Sequence, residues 1–539
     1  MKVGKLPAGT HIVQEGQVGP SLGADNINKS LITMLLSVVF LCLFMVSYYN
    51  RGGWVSVVAL LANIFFILGT LASLGTVLTL PGIAGIVLTL AAAVDANVII
   101  YERIREELRN GLPMAKAIST GFTRALTAII DANVTTLLVA AVLVYFGLGP
   151  IKGFGTVLIV GILCSLFTAV LVGRYITEWW LDKGRTLSYS FPWSEKWLVG
   201  FHYDWIGKRK YAYMFSLAII LVGVVSYFQR GFELGVDFKG GYSFNVQFDR
   251  PVTVDQLGPA LSTAFGSNTI IKTVSGGNTF NITTPYLINE TGPDVMERVI
   301  AKLHEGVKAA GVDVDLASFK KTDSSGTHIS ASSQVSATVA DDIRNSSFLS
   351  AAWALSLVFL FLLIRFRRWQ FSLGAVLALF HDVLITLTFF TLLHGRVWFS
   401  LEIDQAIIAC ILTVIGFSVN DTVIVYDRIR EFMGVFSGRR KEDVFNMAIN
   451  TTLSRTLITS GTVFLVVLLL FIFGGGAIKG FAFGMLAGIL FGTYSSIFVA
   501  SALVVDFTKE DFIHGKAVTA KPEVEADAEK PAKTKKAKA

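Results

Sequence analysis

Charge is scarce in this chain. Only 16% of its 539 residues are Asp, Glu, Lys or Arg, while 53% are hydrophobic. With a mean hydropathy of +0.61, that balance excludes a water-soluble globular protein and points to a membrane protein. Cysteine is rarer still. Cys42, Cys164 and Cys410 all fall in apolar runs, so they read as packed thiols and argue against a disulfide framework. The sequence has no His-Glu-x-x-His, no Cys-x-x-Cys and no other histidine spacing that would hold a metal. It offers no catalytic constellation either. The expectation is a protein that is not an enzyme, with no metal and no cofactor. The formal net charge is +7, but the Lys and Arg sit beside the apolar runs, as loop charge on a membrane protein does. No nucleic-acid partner is therefore expected.

Long apolar runs are what the chain has instead. Crossing a bilayer takes about 20 apolar residues. Runs of that kind lie near 30–49, 54–75, 80–100, 124–146 and 153–175, then 211–228, 347–366, 370–393, 405–426, 455–473 and 480–505, which makes about eleven. Alternate connections are basic, including Arg51, the 101–120 loop, the 182–210 linker, Arg365 to Arg368 and the 427–441 loop. The connections between them are almost free of Lys and Arg. By the positive-inside rule the basic set is cytoplasmic.

The domains follow. Residues 1–29 and 229–346 lie outside. Residues 30–181 form one helical bundle, and 182–210 a cytoplasmic linker. Residues 211–228 add a single span, 347–507 a second bundle, and 508–539 a disordered cytoplasmic tail. Residues 1–29 show no apolar signal-peptide core, and an outside N-terminus with no span before it suggests a chain that begins partway through a larger parent. Within 229–346, Tyr242–Phe248, Thr269–Val274 and Thr279–Tyr286 alternate like strands. Val254–Phe265 and Asp294–Ala310 carry helical spacing, and Gly276-Gly277 marks a hairpin. The order is close to β-α-β-β-α-β, a ferredoxin-like unit. Gly235-Val236-Asp237-Phe238-Lys239-Gly240-Gly241 reads as a turn feeding its first strand.

One stretch occurs twice. Val94-Asp95-Ala96-Asn97-Val98-Ile99-Ile100-Tyr101-Glu102-Arg103-Ile104-Arg105-Glu106 aligns without a gap on Val419-Asn420-Asp421-Thr422-Val423-Ile424-Val425-Tyr426-Asp427-Arg428-Ile429-Arg430-Glu431. Further on, Ser119-Thr120-Gly121-Phe122-Thr123-Arg124 matches Asn450-Thr451-Thr452-Leu453-Ser454-Arg455, and Ile151-Lys152-Gly153-Phe154 matches Ile478-Lys479-Gly480-Phe481. Both copies enter in the same orientation, which predicts two bundles related by a pseudo-twofold along the membrane normal. Each copy carries a carboxylate inside a span, Asp95 and Asp421, with Asn420 opposite Asp95. Such acids cost several kcal/mol in hydrocarbon and are functional candidates by default. Asp421 and Arg455 lie on either side of a short cytoplasmic loop, which predicts a pair at similar depth, with Asp95 facing it across the pseudo-twofold.

Val94-Asp95-Ala96-Asn97 and Ile130-Asp131-Ala132-Asn133-Val134-Thr135-Thr136 resemble the membrane part of SecD. Gly235 to Gly241, Phe380-His381-Asp382, Val419-Asn420-Asp421 and Ser454-Arg455-Thr456 resemble SecF, and Val18-Gly19-Pro20-Ser21-Leu22-Gly23 is similar to the segment before the second SecD span. The chain to about residue 510 therefore resembles a fused SecD–SecF protein-export protein of the RND superfamily. The first SecD span and its large extracytoplasmic domain have no counterpart, and residues 1–29 correspond to the remnant of that domain.

The fold expected is an all-α membrane protein. Two pseudo-twofold RND-like bundles of about eleven transmembrane helices carry one small α+β ferredoxin-like extracytoplasmic domain. The resemblance implies a multi-pass protein of the bacterial inner membrane that uses the proton motive force to promote late steps of polypeptide export. Its partners would be the Sec channel SecYEG, with YajC and YidC, the emerging preprotein and protons. It implies a proton relay of Asp95, Asp421 and Arg455. Supporting candidates are Asp131 and Asn133 in mid-span, Asn97, Asn420, Arg124 as the repeat counterpart of Arg455, and His381 with Asp382, which form a proton shuttle or a structural pair. Two rival readings are an RND-type exporter of a lipid or small molecule and a non-transporting scaffold of the Sec channel.

Overall fold

The computed structural model describes residues 13–508 except 77, 199, 267–268, 276–277, 291, 293, 323–325 and 437. The expected disordered tail and the Gly276-Gly277 turn lie outside the described residues. Among the described residues, ten helices are long and apolar enough to cross a membrane. In the first half these are α1 (Pro20–Ser73), α2 (Leu80–Arg109), α3 (Met114–Phe146) and α4 (Pro150–Asp182). In the second half are α5 (Arg209–Arg230) and, after two short helices of the α+β domain, α6 (Val254–Phe265) and α7 (Val295–Ala309), the spans α8 (Ala337–Phe366), α9 (Trp369–Leu393), α10 (Gln405–Val435), α11 (Lys441–Phe473) and α12 (Gly476–Phe507).

The first of these helices holds two spans. Asn50, at φ 54°, interrupts α1. Gly53 comes so close to Met45 that a Cβ there would sit 2.1 Å from the Met45 carbonyl oxygen. The chain therefore doubles back at this point. The turn between α8 and α9 uses the same device at Arg367, φ 55°. Eleven crossings result, as the apolar runs predict.

The repeat is visible in the packing. Gly161 of α4 lies against Thr89 of α2, where an added Cβ would sit 2.4 Å from the threonine methyl, and Gly488 of α12 lies against Val414 of α10 at 2.2 Å. Both positions of the first contact align with both positions of the second. Close approach through small residues is how spans pack when lipid offers no hydrophobic drive between them. α2 and α10 are in consequence the most buried spans of their halves. Both α4 and α12 also pass through a π-helical turn, Thr168–Val172 and Ser496–Ala500.

The α+β domain carries a five-stranded antiparallel sheet in the order β1-β5-β2-β4-β3. The strands are β1 (Gln14–Val18), β2 (Gly241–Gln247), β3 (Ile270–Ser275), β4 (Thr279–Thr284) and β5 (His328–Val335). Alternation buries Phe244, Val246, Phe280 and Ile282 against Leu257 and Leu261 of α6 and Val299 and Leu303 of α7. β2 to β5 with α6 and α7 give the β-α-β-β-α-β order expected. β1, from the chain ahead of α1, was not expected there, because Gln-Glu-Gly-Gln-Val offers no apolar alternation. Gly240 and Gly241, at φ 71° and 113°, make the turn into β2. A Cβ on Gly241 would sit 2.6 Å from the Thr284 carbonyl oxygen.

The domain stands on the N-terminal end of α10. Gly235 N–H donates to Ile403 O at 2.9 Å and Ile403 N–H to Glu233 O at 2.8 Å. Gln405 N–H reaches Asp237 Oδ2 at 3.2 Å. Lys272 of β3 pairs with both Glu233 and Glu402. Asp404 caps α10 by accepting from Ile407 N–H at 3.0 Å. Burial, and then the charge of nearby Asp237, push the Asp404 carboxyl up to about 7. Its folded-state value thus exceeds the ordinary 3.8, so the folded state holds this proton more tightly than the unfolded chain does. Docking of the domain is therefore expected to tighten as pH falls through about 7 and to gain nothing further below the ordinary carboxyl value. Exchange of the Gly235 and Ile403 amides, corrected for intrinsic rate, should be slower at acid pH in the parent chain. Asp404→Asn should flatten that dependence.

Candidate functional site

The two central spans bring the repeat onto its own axis. Asn420 Nδ2 donates to Asp95 Oδ2 at 3.0 Å, and these are aligned positions of the two copies, so the contact lies where the pseudo-twofold passes. One position along, Asp421 Oδ2 accepts from Ser460 Oγ of α11 at 2.5 Å and from Thr493 Oγ1 of α12 at 3.3 Å. All four residues Asp95, Asn420, Asp421 and Asn97 are buried. Two cavities of about 20 Å³ each flank Asp95 and Asn420, one bounded by Asn133 and Thr136, the other by Ser418, Asp421 and Ser460. Each is lined in part by polar side chains and is large enough for a water molecule, which needs about 10–15 Å³.

Arg455 reaches this region from α11. Its Nε and Nη2 are buried without a hydrogen-bond partner, and it makes no salt bridge among those found between the described residues. Asp95, Asp427, Glu102 and Asp421 all lie near enough to act on it. The expected pair of Arg455 with Asp421 is not closed to an ion pair among the described residues. α11 packs on α2 of the other half as well as on α10, so the guanidinium is presented across the interface.

Below the acids, at the end remote from the α+β domain, a vestibule of about 1050 Å³ opens between the halves. Ile99 and Arg455 line it, and Ile99 also bounds the cavity beside Asp95. Its rim is held by reciprocal ion pairs. Arg428 Nη2 meets Glu106 at 2.7 Å, and Arg103 Nη2 meets Glu431 at 4.0 Å. Arg103 aligns with Arg428 and Glu106 with Glu431, so the repeat clasps itself. The linker spans the same end: Ser194 Oγ donates to Tyr48 O at 2.8 Å in the first half, and Trp205 Nε1 to Asn450 Oδ1 at 2.8 Å in the second.

The supporting candidates divide. Asp131 is not a lone mid-span acid. Arg365 of α8 binds it through Nε at 2.6 Å and also holds Asp427 at 3.1 Å, a second clasp between the halves. Arg124 is exposed and pairs with Glu107 at 2.6 Å, away from the acid pair, because its helix packs with that face outward where α11 turns the equivalent face inward. Asn97 and Asn133 donate to carbonyls of their own helices, Ala93 at 3.1 Å and Ile129 at 2.8 Å. His381 and Asp382 form a hydrogen-bonded pair at 2.9 Å within the second half. Sequence reading missed Ser460, Thr493, Arg365 and the Glu106–Arg428 contact. Hydroxyls interrupting an apolar span, as in Thr459-Ser460 and Thr493-Tyr494-Ser495-Ser496, were the available signal.

Comparison with known proteins accords with this geometry. The family described as "Protein export membrane protein SecD/SecF, C-terminal" matches residues 3–183 and 315–510, and the SecD/SecF GG motif matches 225–252. The chain belongs to the SecD/SecF family. It is 34% identical to the protein translocase subunit SecDF of Thermus thermophilus over 94% of its length and 65% of the relative's, and 31% identical to that of Bacillus subtilis over 93% and 67%. The SecF subunit of Rhodothermus marinus is 44% identical over 57% of the chain. The crystal structure of Thermus SecDF, a translocon-associated membrane protein, superposes with a TM-score of 0.80 at 32% identity, over 92% of this chain and 64% of that one. The chain thus spans about two thirds of the length of its SecDF relatives. In SecD/SecF terms the first half, α1 to α4, is SecD-like and α5 to α12 SecF-like.

The Asp131–Arg365 clasp lends itself to measurement. Removing one partner of a buried ion pair costs about 3 kcal/mol, and about 2 where the survivor keeps a second acid, as Arg365 keeps Asp427. Asp131→Asn should lower the melting temperature in detergent, and the double change Asp131→Asn with Arg365→Met should cost less than the sum of the two single changes, since they share one interaction.

Proposed function

We propose that this chain is the membrane core of a proton-driven protein-export subunit, acting beside the Sec channel SecYEG, with YajC and YidC, on the emerging preprotein in the bacterial inner membrane. The observation that carries the reading is Arg455: a guanidinium whose Nε and Nη2 are buried without a partner, with no salt bridge among the described residues, placed where acids of both halves act on it. One fixed cation cannot balance two carboxylates in hydrocarbon, so the second acid is balanced by a proton. At an effective dielectric near 20, closing a charge pair to contact is worth about 4 kcal/mol. Moving the proton between Asp95 and Asp421 would then shift which acid Arg455 approaches, and with it the arrangement of α11 between the halves. The vestibule gives protons an aqueous route on one side, and the α+β domain docked on α10 receives the movement on the other. A scaffold would have no use for the uncompensated charge.

In this orientation the vestibule faces the cytoplasm, as the basic residues around it favour. Labelling of Asp313→Cys only from outside and of Arg439→Cys only from inside is expected, and the reverse pattern would overturn it. For the relay, Asp95→Asn, Asp421→Asn and Arg455→Met, placed in a full-length SecDF relative, should each abolish the stimulation of preprotein export into inverted vesicles by a proton gradient. Folding and association with the channel should be unchanged. Gradient-dependent export retained by all three variants would sink the relay and favour a scaffold.

A further inference from the structure

A second buried carboxylate in the SecF-like half has no part in the relay as described. Asp382 of α9 is fully buried. Its Oδ2 accepts from Ser418 Oγ of α10 at 2.5 Å and Ser495 Oγ of α12 at 2.8 Å, and its Oδ1 faces His381 Nδ1 at 2.9 Å. His381 Nε2 in turn meets Ser216 Oγ of α5 at 2.9 Å. Ser216 lies 3.2 Å from Tyr494 Oη, which donates to Ala212 O at 2.9 Å, and the Tyr494 ring stacks on the imidazole. The facing groups are therefore His381 on α9 itself, Ser418 on α10 with Asp421 one turn further on, Tyr494 and Ser495 on α12, and Ser216 on α5.

Packing alone does not call for a charge here. In the first half, the corresponding contact between the second part of α1 and the π turn of α4 is made by an amide: Asn63 Nδ2 donates to Thr168 Oγ1 at 3.3 Å, and Thr168 is the repeat counterpart of Ser495. A carboxylate at mid-span is costly relative to an apolar group. What Asp382 does that Asn63 cannot is take three donors at once. Two of these fix the stretches that hold the relay acid: Ser418 lies one turn before Asp421 on α10, and Ser495 lies two residues after Thr493 on α12. Between them Thr422 Oγ1 and Ser496 Oγ meet at 2.8 Å, where α12 enters its π turn, a feature that often marks functional sites.

We propose that Asp382 is a positioning residue for the relay, clamping α10 to α12 through Ser418 and Ser495 so that Asp421 meets Ser460 and Thr493. The same network runs through His381 and Ser216 into α5, the span that leads directly into the α+β domain. It thereby links the setting of Asp421 to the element that would use it. The proposal rests on the reading of Asp421 as a relay acid, and its test does not depend on export.

The test uses the 539-residue chain in lipid vesicles and measures the rate at which dicyclohexylcarbodiimide modifies Asp421, followed by mass spectrometry. Loss of a single hydrogen bond to the carboxyl should raise that rate about fivefold to tenfold in Asp382→Asn. The milder Ser418→Ala with Ser495→Ala should reproduce the rise, and Asn63→Ala should leave it unchanged. A rate within about twofold of the parent in both SecF-half variants would overturn the proposal. If Asp421→Asn keeps gradient-dependent export while Asp382→Asn still changes the modification rate, the relay falls and the positioning role stands.

Discussion

Everything in this molecule is arranged around the cost of charge in hydrocarbon. An ion there has to find its partner inside the protein, and several of the partners are on the other half of the repeat. Asp131 is held by Arg365, Glu106 by Arg428, and Arg103 by Glu431. These ion pairs hold the SecD-like and SecF-like bundles together at one end while leaving a water-accessible space between them. Arg455 is the exception. It is drawn by Asp95, Asp427, Glu102 and Asp421 and is satisfied by none of them through a salt bridge. On the function proposed above, a charge in that condition responds to a single proton, whereas the rim cations each already have a carboxylate beside them.

The pseudo-twofold explains why this arrangement is stable as well as responsive. Aligned residues meet their own counterparts on the axis, as Asp95 meets Asn420, and reciprocal pairs form off it. The two halves differ where asymmetry is useful. Asp95 faces an amide, and Asp421 is displaced by one position into a pocket of hydroxyls from Ser460 and Thr493. The acids therefore sit in different surroundings although their helices pack alike. Glycine-mediated contacts at Gly161 and Gly488 keep both central spans close to α4 and α12, so small changes in one span are felt by its neighbour.

Coupling to the outer domain has a physical route. α5 and α10 both end beneath the α+β domain, and the Glu233–Ile403–Gly235 bonds with the Lys272 pairs join it to the first turn of α10. The carrier of Asp421 is thus the same rod on which the domain stands. β1, from the first half, completes the sheet through β5, so the domain is also tied to the other bundle.

Much of this was legible in the chain itself. Apolar run lengths determine the spans, since the bilayer thickness is fixed. The gap-free repeat determines the pseudo-twofold, and alternation in β2 and β4 with helical spacing in α6 and α7 determines the ferredoxin-like order. The buried acids Asp95 and Asp421 and the cation Arg455 stand out because charge is so rare in such runs. Only the tertiary structure decided who faces whom. Loop length suggested that Arg455 pairs with Asp421, yet no ion pair joins them among the described residues, and helix packing sets the Arg455 helix against α2 as well as α10. Repeat alignment offered Arg124 as its counterpart, yet rotation of α3 sends that side chain outward to Glu107. Arg103 and Arg428 stand at the charged ends of their spans, yet each reaches a glutamate of the other half. A sequence specifies which residues lie at membrane depth. The rotation of each helix about its own axis is set by the side chains of its neighbours, which no single span contains.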